Sequence, residues 1–202
     1  MPLPPITRPS PAEVQKYLAK WRAGNSEPTA AALSRLFRED MPHNTDVGEV
    51  AVKVAALNGI YSTRIFGVVQ VAQHIVDSRI DDRLAQAAVD AELIETVAAV
   101  TLKGKTRRNY SFATKYCSFH RPDLYPIYDN LVHRLLNAML RQGEVFDTFA
   151  PGERWASDYS VWNRSILKFR SHFGLQQFPL RDIDKYLWQL AKERESLAAN
   201  AT

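Results

Sequence analysis

Glycine is scarce in this chain: 8 residues in 202. No stretch alternates apolar and polar residues for long enough to make a half-buried strand. Alanine, leucine, arginine and glutamine dominate instead, and these residues lose little side-chain freedom in a helix. The chain is therefore confined to helices joined by short turns. With 46% hydrophobic and 24% charged residues it has enough apolar material for a packed core.

Punctuation places the helices. Ser10 followed by Pro11 opens the first, which runs to about Ala23 and ends at Gly24-Asn25. A second spans Pro28 to Asp40 and stops at Pro42. A third, Asp46 to Leu57, carries Val47, Val50, Val54 and Leu57 on one stripe, and Asn58-Gly59 is read as its end. A fourth, Ser62 to Asp77, is apolar on most sides and is expected to be the central buried helix. Asp81–Val89 and Ala91–Thr101 follow, and then a segment, Leu102–Tyr110, leads into a helix ending near His120. Further helices are expected at Asp129–Leu140, Tyr159–Phe173 and Arg181–Leu197. The sum is an all-α, two-lobed helical fold of about ten helices with little or no sheet. Met1 to Pro11 is proline-rich and is read as an extended arm, without the apolar core of a signal peptide. The longest apolar stretch, Ile65 to Val76, is interrupted by Gln70, Gln73 and His74, so no membrane span is expected.

One cysteine, Cys117, excludes an internal disulfide and a cysteine-held iron–sulfur or zinc cluster. It points to a cytoplasmic protein. No cofactor is implied. No HExxH motif or compact carboxylate cluster occurs, and Asp81-Asp82 reads as a helix start.

The net charge is +4. Lys103, Lys105, Arg107 and Arg108 stand together between Thr101 and Ser111 without an acid, and the other 22 basic residues balance the 22 acidic ones. Such a cluster ahead of a helix suits phosphate binding, and equally a solvated loop. The second informative segment is Tyr125-Pro126-Ile127-Tyr128-Asp129, which opens a helix with Leu131, Val132, Leu135 and Leu136 on one face. Asp129 suits two roles. It is an N-cap by position, and the helix dipole favours the ionised carboxylate that catalysis needs.

These segments together resemble the helix-hairpin-helix DNA glycosylase superfamily. Pro126-Ile127-Tyr128-Asp129-Asn130-Leu131-Val132-His133-Arg134 is similar to the block that holds its catalytic aspartate. Ala56-Leu57-Asn58-Gly59-Ile60-Tyr61-Ser62-Thr63, within Val50–Ile65, resembles its earlier block, a turn that enters DNA. The resemblance covers about Asp46 to Leu140 and implies a central helical lobe over 46–140. A second lobe is then built from 11–45 plus 141–202.

The hairpin that grips the DNA backbone in that superfamily has two glycines. Here Leu102-Lys103-Gly104-Lys105-Thr106 keeps one. A gap-free count back from Asp129 reaches Ser111 where bifunctional members hold a Schiff-base lysine, and alignment on Gly104 reaches Arg108. Lys103, Lys105 and Lys115 remain as other amines.

The resemblance thus implies a monomeric, monofunctional glycosylase in which Asp129 and water release a flipped damaged or modified base. Divergent bacterial members act in phage defence on bulky hypermodified bases, which adds a second substrate class. Lys103, Gly104, Lys105, Arg107, Arg108 and Ser111 are the implied backbone contacts. Asn58, Tyr61, His120, Tyr125, Tyr128 and Trp162 are the implied pocket or flipping residues, with Trp155 and Tyr159 as further stacking candidates. Each such aromatic is more often a core residue. Arg134, Arg164, Lys168 and Arg170 are further phosphate candidates or simply solvated helical charges. A non-enzymatic nucleic-acid-binding module and a helical protein–protein adaptor stand as the alternatives.

Overall fold

The computed structural model describes residues 5–200. The first four residues of the expected arm lie outside that range. Ten α-helices and one two-stranded hairpin form among the described residues, and the fold is all-α but for that hairpin. None of these helices is long and apolar enough to cross a membrane.

The chain divides into two compact units, one made of Met1–Glu27 with Tyr128–Thr202 and the other of Pro28–Ile127. The expected lobes were 46–140 and 11–45 plus 141–202, whereas these units divide after Glu27 and after Ile127. Residues 28–45 belong to the middle unit because Phe37 packs on Tyr116, Phe119 and His120. Asp129 and its helix belong to the unit of the chain ends, because that helix packs along the last one.

In the unit of the ends, α1 (Pro11–Ala23) is capped by Ser10, which accepts the Glu13 N–H. It packs on α10 (Leu180–Asn200) through Tyr17 against Tyr186 and Trp21 against Trp188. Next come α8 (Asn130–Arg141) and α9 (Tyr159–His172). Asp147 is buried between the end of α8 and α9. It accepts from Ser165 and from Lys168 at 2.7 Å, and Arg164 lies 3.4 Å away. Burial opposes its charge, but these donors win and hold its carboxyl below the ordinary range.

The middle unit contains α2 (Ser26–Arg35) from Pro28 onward, which runs into a π-helical turn over Leu36–Asp40. It continues with α3 (Val47–Tyr61), α4 (Val68–Asp77), α5 (Asp81–Leu84), α6 (Ala91–Ala98) and α7 (Tyr110–His120). The expected break at Asn58-Gly59 does not occur. One helical glycine costs only about 1 kcal/mol, and α3 continues to Tyr61 before Ser62 ends it in the left-handed region, φ 50°. Residues 62–67 are consequently loop rather than the start of α4.

Nor is α4 the central helix. It buries Val71, Ala72 and Ile75 but leaves Val69 60% exposed. That place belongs to α7, in which Phe112 through Phe119 are all buried. A run mixing aromatic, polar and basic residues hides this role from apolar periodicity.

Leu102–Tyr110 is not an irregular segment. β1 (Ala99–Leu102) and β2 (Lys105–Arg108) form an antiparallel hairpin with Leu102 opposite Lys105. Lys103 and Gly104, at φ 50° and 73°, make the two-residue turn whose twist matches the strands.

A buried ammonium ties the middle unit together. Lys53 on α3 donates to the carbonyls of Met41 (3.1 Å) and His43 (2.7 Å) and to Asn44 Oδ1 (2.7 Å). Asn44 in turn donates to Asp81 through its amide side chain (2.6 Å) and its backbone N–H (2.9 Å). The Tyr116 hydroxyl donates to Asn44 Oδ1 at 2.5 Å. Burial pushes Lys53 down to about 8, against the pull of Asp81 and Glu49.

Lys53→Met keeps the volume of the stem and removes the donors. It leaves buried oxygens without a proton, and a stability loss of about 1–3 kcal/mol is expected in urea unfolding. A change within error would show that the network is not structural.

Candidate functional site

The hairpin gathers four basic residues, Lys103, Lys105, Arg107 and Arg108. The β2 residues are all exposed. Among the described residues Lys103, Lys105 and Arg107 have no acidic partner within ion-pair reach. Arg108 differs, because its guanidinium is held bidentately by Glu95 (Nε to Oε2 2.7 Å, Nη2 to Oε1 2.5 Å) and lies over the Tyr110 ring. It was expected as a phosphate contact, but the pairing with Glu95 occupies its fork.

Two antiparallel strands also replace the turn between helices that the resemblance implies. Gly104 has open space around its α-carbon and serves the β-turn. It does not bring backbone amides up to a helix N-terminus.

Beyond the hairpin, Ser111 lies in the first turn of α7 and accepts from Lys115 Nζ at 2.7 Å. Lys115 is only 3% exposed, and its ammonium lies 5.6 Å from the centre of the Tyr61 ring. Tyr61 also packs on Phe119. Three residues singled out in the sequence thus meet: Ser111, Lys115 and Tyr61. Exposed amines are the usual state of lysine, so its burial marks Lys115 apart from Lys103 and Lys105. No pattern in the sequence distinguishes it.

The other pocket candidates are mostly structural. Asn58 organises the loop after α3. Its amide donates to the Ile65 carbonyl (3.2 Å), and its Oδ1 accepts from Ile65 N–H (2.9 Å) and Thr63 (3.2 Å). Tyr125 is fully buried, and its hydroxyl accepts the Asp90 N–H at 3.2 Å. Tyr128 and Trp162 are buried against each other, ring centres 5.1 Å apart, and the Tyr128 hydroxyl meets His133 Nδ1 at 2.8 Å. Trp155 is buried and donates to Ser165, and Tyr159 is buried on the first turn of α9. Faces covered by protein have no room for a base. These aromatics therefore serve packing, contrary to the stacking role expected of them.

The helical cations are also engaged. Arg164 pairs with Glu153 and Asp147, Lys168 with Asp147, and Arg134 with Glu195. Arg170 donates to two carbonyls.

Asp129 is the N-cap of α8. It has extended backbone (φ −137°, ψ 136°), and its Oδ1 accepts the Leu131 N–H at 2.8 Å. The carboxylate is partly exposed, so capping leaves it reachable by solvent. Cys117 is fully buried, and burial raises its thiol far above the ordinary range. Among the described residues no three His, Cys, Asp or Glu side chains converge to hold a metal ion.

Residues 13–124 match a protein family described as HI_0787_N, N-terminal domain. The chain belongs to this family. It is also 37% identical over 137 residues to a Haemophilus influenzae protein described as uncharacterized, covering 67% of this chain and 63% of that one. The match therefore spans less than two thirds of the relative's length. No solved structure matches. The family region takes in the Lys53 network, the hairpin and Lys115, and it ends before Asp129.

The partly exposed His120 packs its ring against Phe37 (5.0 Å) and Tyr116 (5.3 Å), and its Nε2 is buried with no hydrogen-bond partner among the described residues. Burial, with Lys53 and His43 nearby, lowers it to about 3. An unfolded histidine takes its proton near pH 6.5, so between these values the unfolded state binds more protons than the folded one. Stability must fall as pH drops through that window, by up to about 1.4 kcal/mol per pH unit from this group. His120→Phe should lose less stability than the parent between neutral and mildly acidic pH in denaturant titrations. Parallel losses would contradict the assignment.

Proposed function

We propose that this protein is a DNA glycosylase, acting on a damaged or modified base with Asp129 and water. The observation that carries the reading is the hairpin, whose turn and exposed second strand hold three cations free of acidic partners. Cations of this kind release counterions when they neutralise phosphates. Its resemblance-based support is the order of the segments: the turn after α3, the basic segment, then the aspartate. Asp129 would stabilise the positive charge that grows on the sugar as the base leaves, and would orient or deprotonate water. The partial exposure of Asp129 suits that role. On this reading the protein works in the cytoplasm, as a monomer.

One observation favours a second form of the chemistry. Lys115 is an amine sequestered from bulk water and held by Ser111. A sequestered lysine suits Schiff-base formation. Water is the leading reading, because the amine does not occupy the position implied by either alignment.

Incubation with normal, damaged and phage-modified DNA, followed by alkali, is expected to reveal abasic sites on one substrate class. Asparagine caps a helix as well as aspartate does, so Asp129→Asn should keep its fold and its DNA affinity while base release falls about a hundredfold or more. Equal rates would remove Asp129 from the chemistry. Borohydride is expected to trap no adduct, and an adduct lost in Lys115→Gln would move the chemistry to the amine. Salt-sensitive binding without abasic sites on any substrate would leave a non-enzymatic nucleic-acid-binding module.

A further inference from the structure

Between the N-terminal end of α4 and the hairpin lies an open cleft of about 540 Å³. Its walls are unusual for a solvated loop. Phe66 is 63% exposed, the highest exposure among the large exposed apolar side chains, and the Arg107 guanidinium lies over its ring at 5.0 Å. Burying such a ring is favourable, and here it stands at a concavity with a cation beside it. Gln70 also lines the cleft, and its side-chain amide makes no hydrogen bond to another described residue, so it can both donate and accept. Lys103 stands at the rim, where the turn holds it at φ 50°.

The loop backbone is committed to this shape. Gly67 sits at φ 76°, and a Cβ there would come within 2.8 Å of the Gln70 side-chain oxygen and 3.5 Å of Leu102. Only glycine lets Gln70 fold back over the loop. Asn58 holds the same loop from its other side through Ile65, the residue next to Phe66.

We propose that this cleft binds one unpaired nucleotide of a nucleic-acid strand. The base stacks on Phe66 and meets Gln70 with its edge, and the adjoining phosphates lie on Lys103 and Arg107. The volume falls in the range of small-molecule sites. An exposed ring with a guanidinium beside it and cations along one side is the arrangement that holds single strands, because every base has a face to stack and every link carries a charge. An acidic peptide would use the cations but leave Phe66 bare, and an apolar partner would have to cover two charges, on Lys103 and Arg107. The inference rests on the hairpin contacting nucleic acid, and not on cleavage of a glycosidic bond.

Fluorescence anisotropy with labelled oligodeoxythymidine and oligouridine of about twelve nucleotides tests it, alongside a duplex of equal length and poly-glutamate. Single strands should bind more tightly than the duplex, whichever sugar is preferred, and poly-glutamate should not compete. Phe66→Ala should weaken single-strand binding about tenfold. Phe66→Trp should retain binding, and its added emission should be quenched by the strand. Arg107→Gln should lower the salt slope by about one ion. Unchanged affinity in Phe66→Ala without quenching in Phe66→Trp would overturn the proposal, as would equal competition by poly-glutamate. Asp129→Asn should bind single strands like the parent. A parent that releases no base yet depends on Phe66 for binding would sink the glycosylase reading alone. Base release with binding indifferent to Phe66 would sink this one alone.

Discussion

A single buried ammonium organises the middle unit. Lys53 is a costly group to take out of water, and the cost is offset only because three oxygens meet it at hydrogen-bond distance. Two of those oxygens belong to the backbone between the π-helical turn and α3, a stretch without regular structure of its own. Asn44 then passes the connection to Asp81 at the start of α5 and to Tyr116 on α7. Four parts of the unit are thereby held in register by directional bonds. Apolar contacts alone would let them slide.

That arrangement also sets the environment of α7. Tyr116 and His120 share Phe37 as a neighbour, and the positive charge of Lys53 helps to keep His120 neutral. The same helix carries Ser111 and Lys115 one turn apart, next to Tyr61. Burial of a polar, aromatic helix is possible here because Thr114, Lys115 and Tyr116 find hydrogen-bond partners within the unit.

The fold was largely legible because helix ends announce themselves chemically. Ser10, Asp46, Asp129 and Asp158 each accept an N–H of the first turn. Pro11 at the head of α1 was equally plain. Tertiary packing decided the rest. Gly59 is a breaker in isolation, yet it sits inside α3. The hairpin escaped because its strands are four residues long, and β2 carries three cations on exposed positions, so neither shows the alternation of a half-buried strand. Apolar content misplaced the central helix, since Phe66 and Val69 face solvent while Thr114, Lys115 and Ser118 do not. For the site, charge clustering found the basic hairpin and position found the Asp129 cap. Aromatic residue type could not separate the exposed ring of Phe66 from the buried rings of Tyr125, Tyr128 and Trp162, because only packing distinguishes them.

Cys117 has a practical meaning beyond compartment. It is the one thiol of the chain, enclosed on every side within α7 and held in its unreactive protonated form. Thiol reagents therefore treat the folded chain as if it had no cysteine. A cysteine placed at exposed Thr106, on the outward strand of the hairpin, becomes a unique attachment point. A dye or spin label there would report on the hairpin from the native sequence background, and slow labelling of Cys117 would serve as an internal clock for opening of the core.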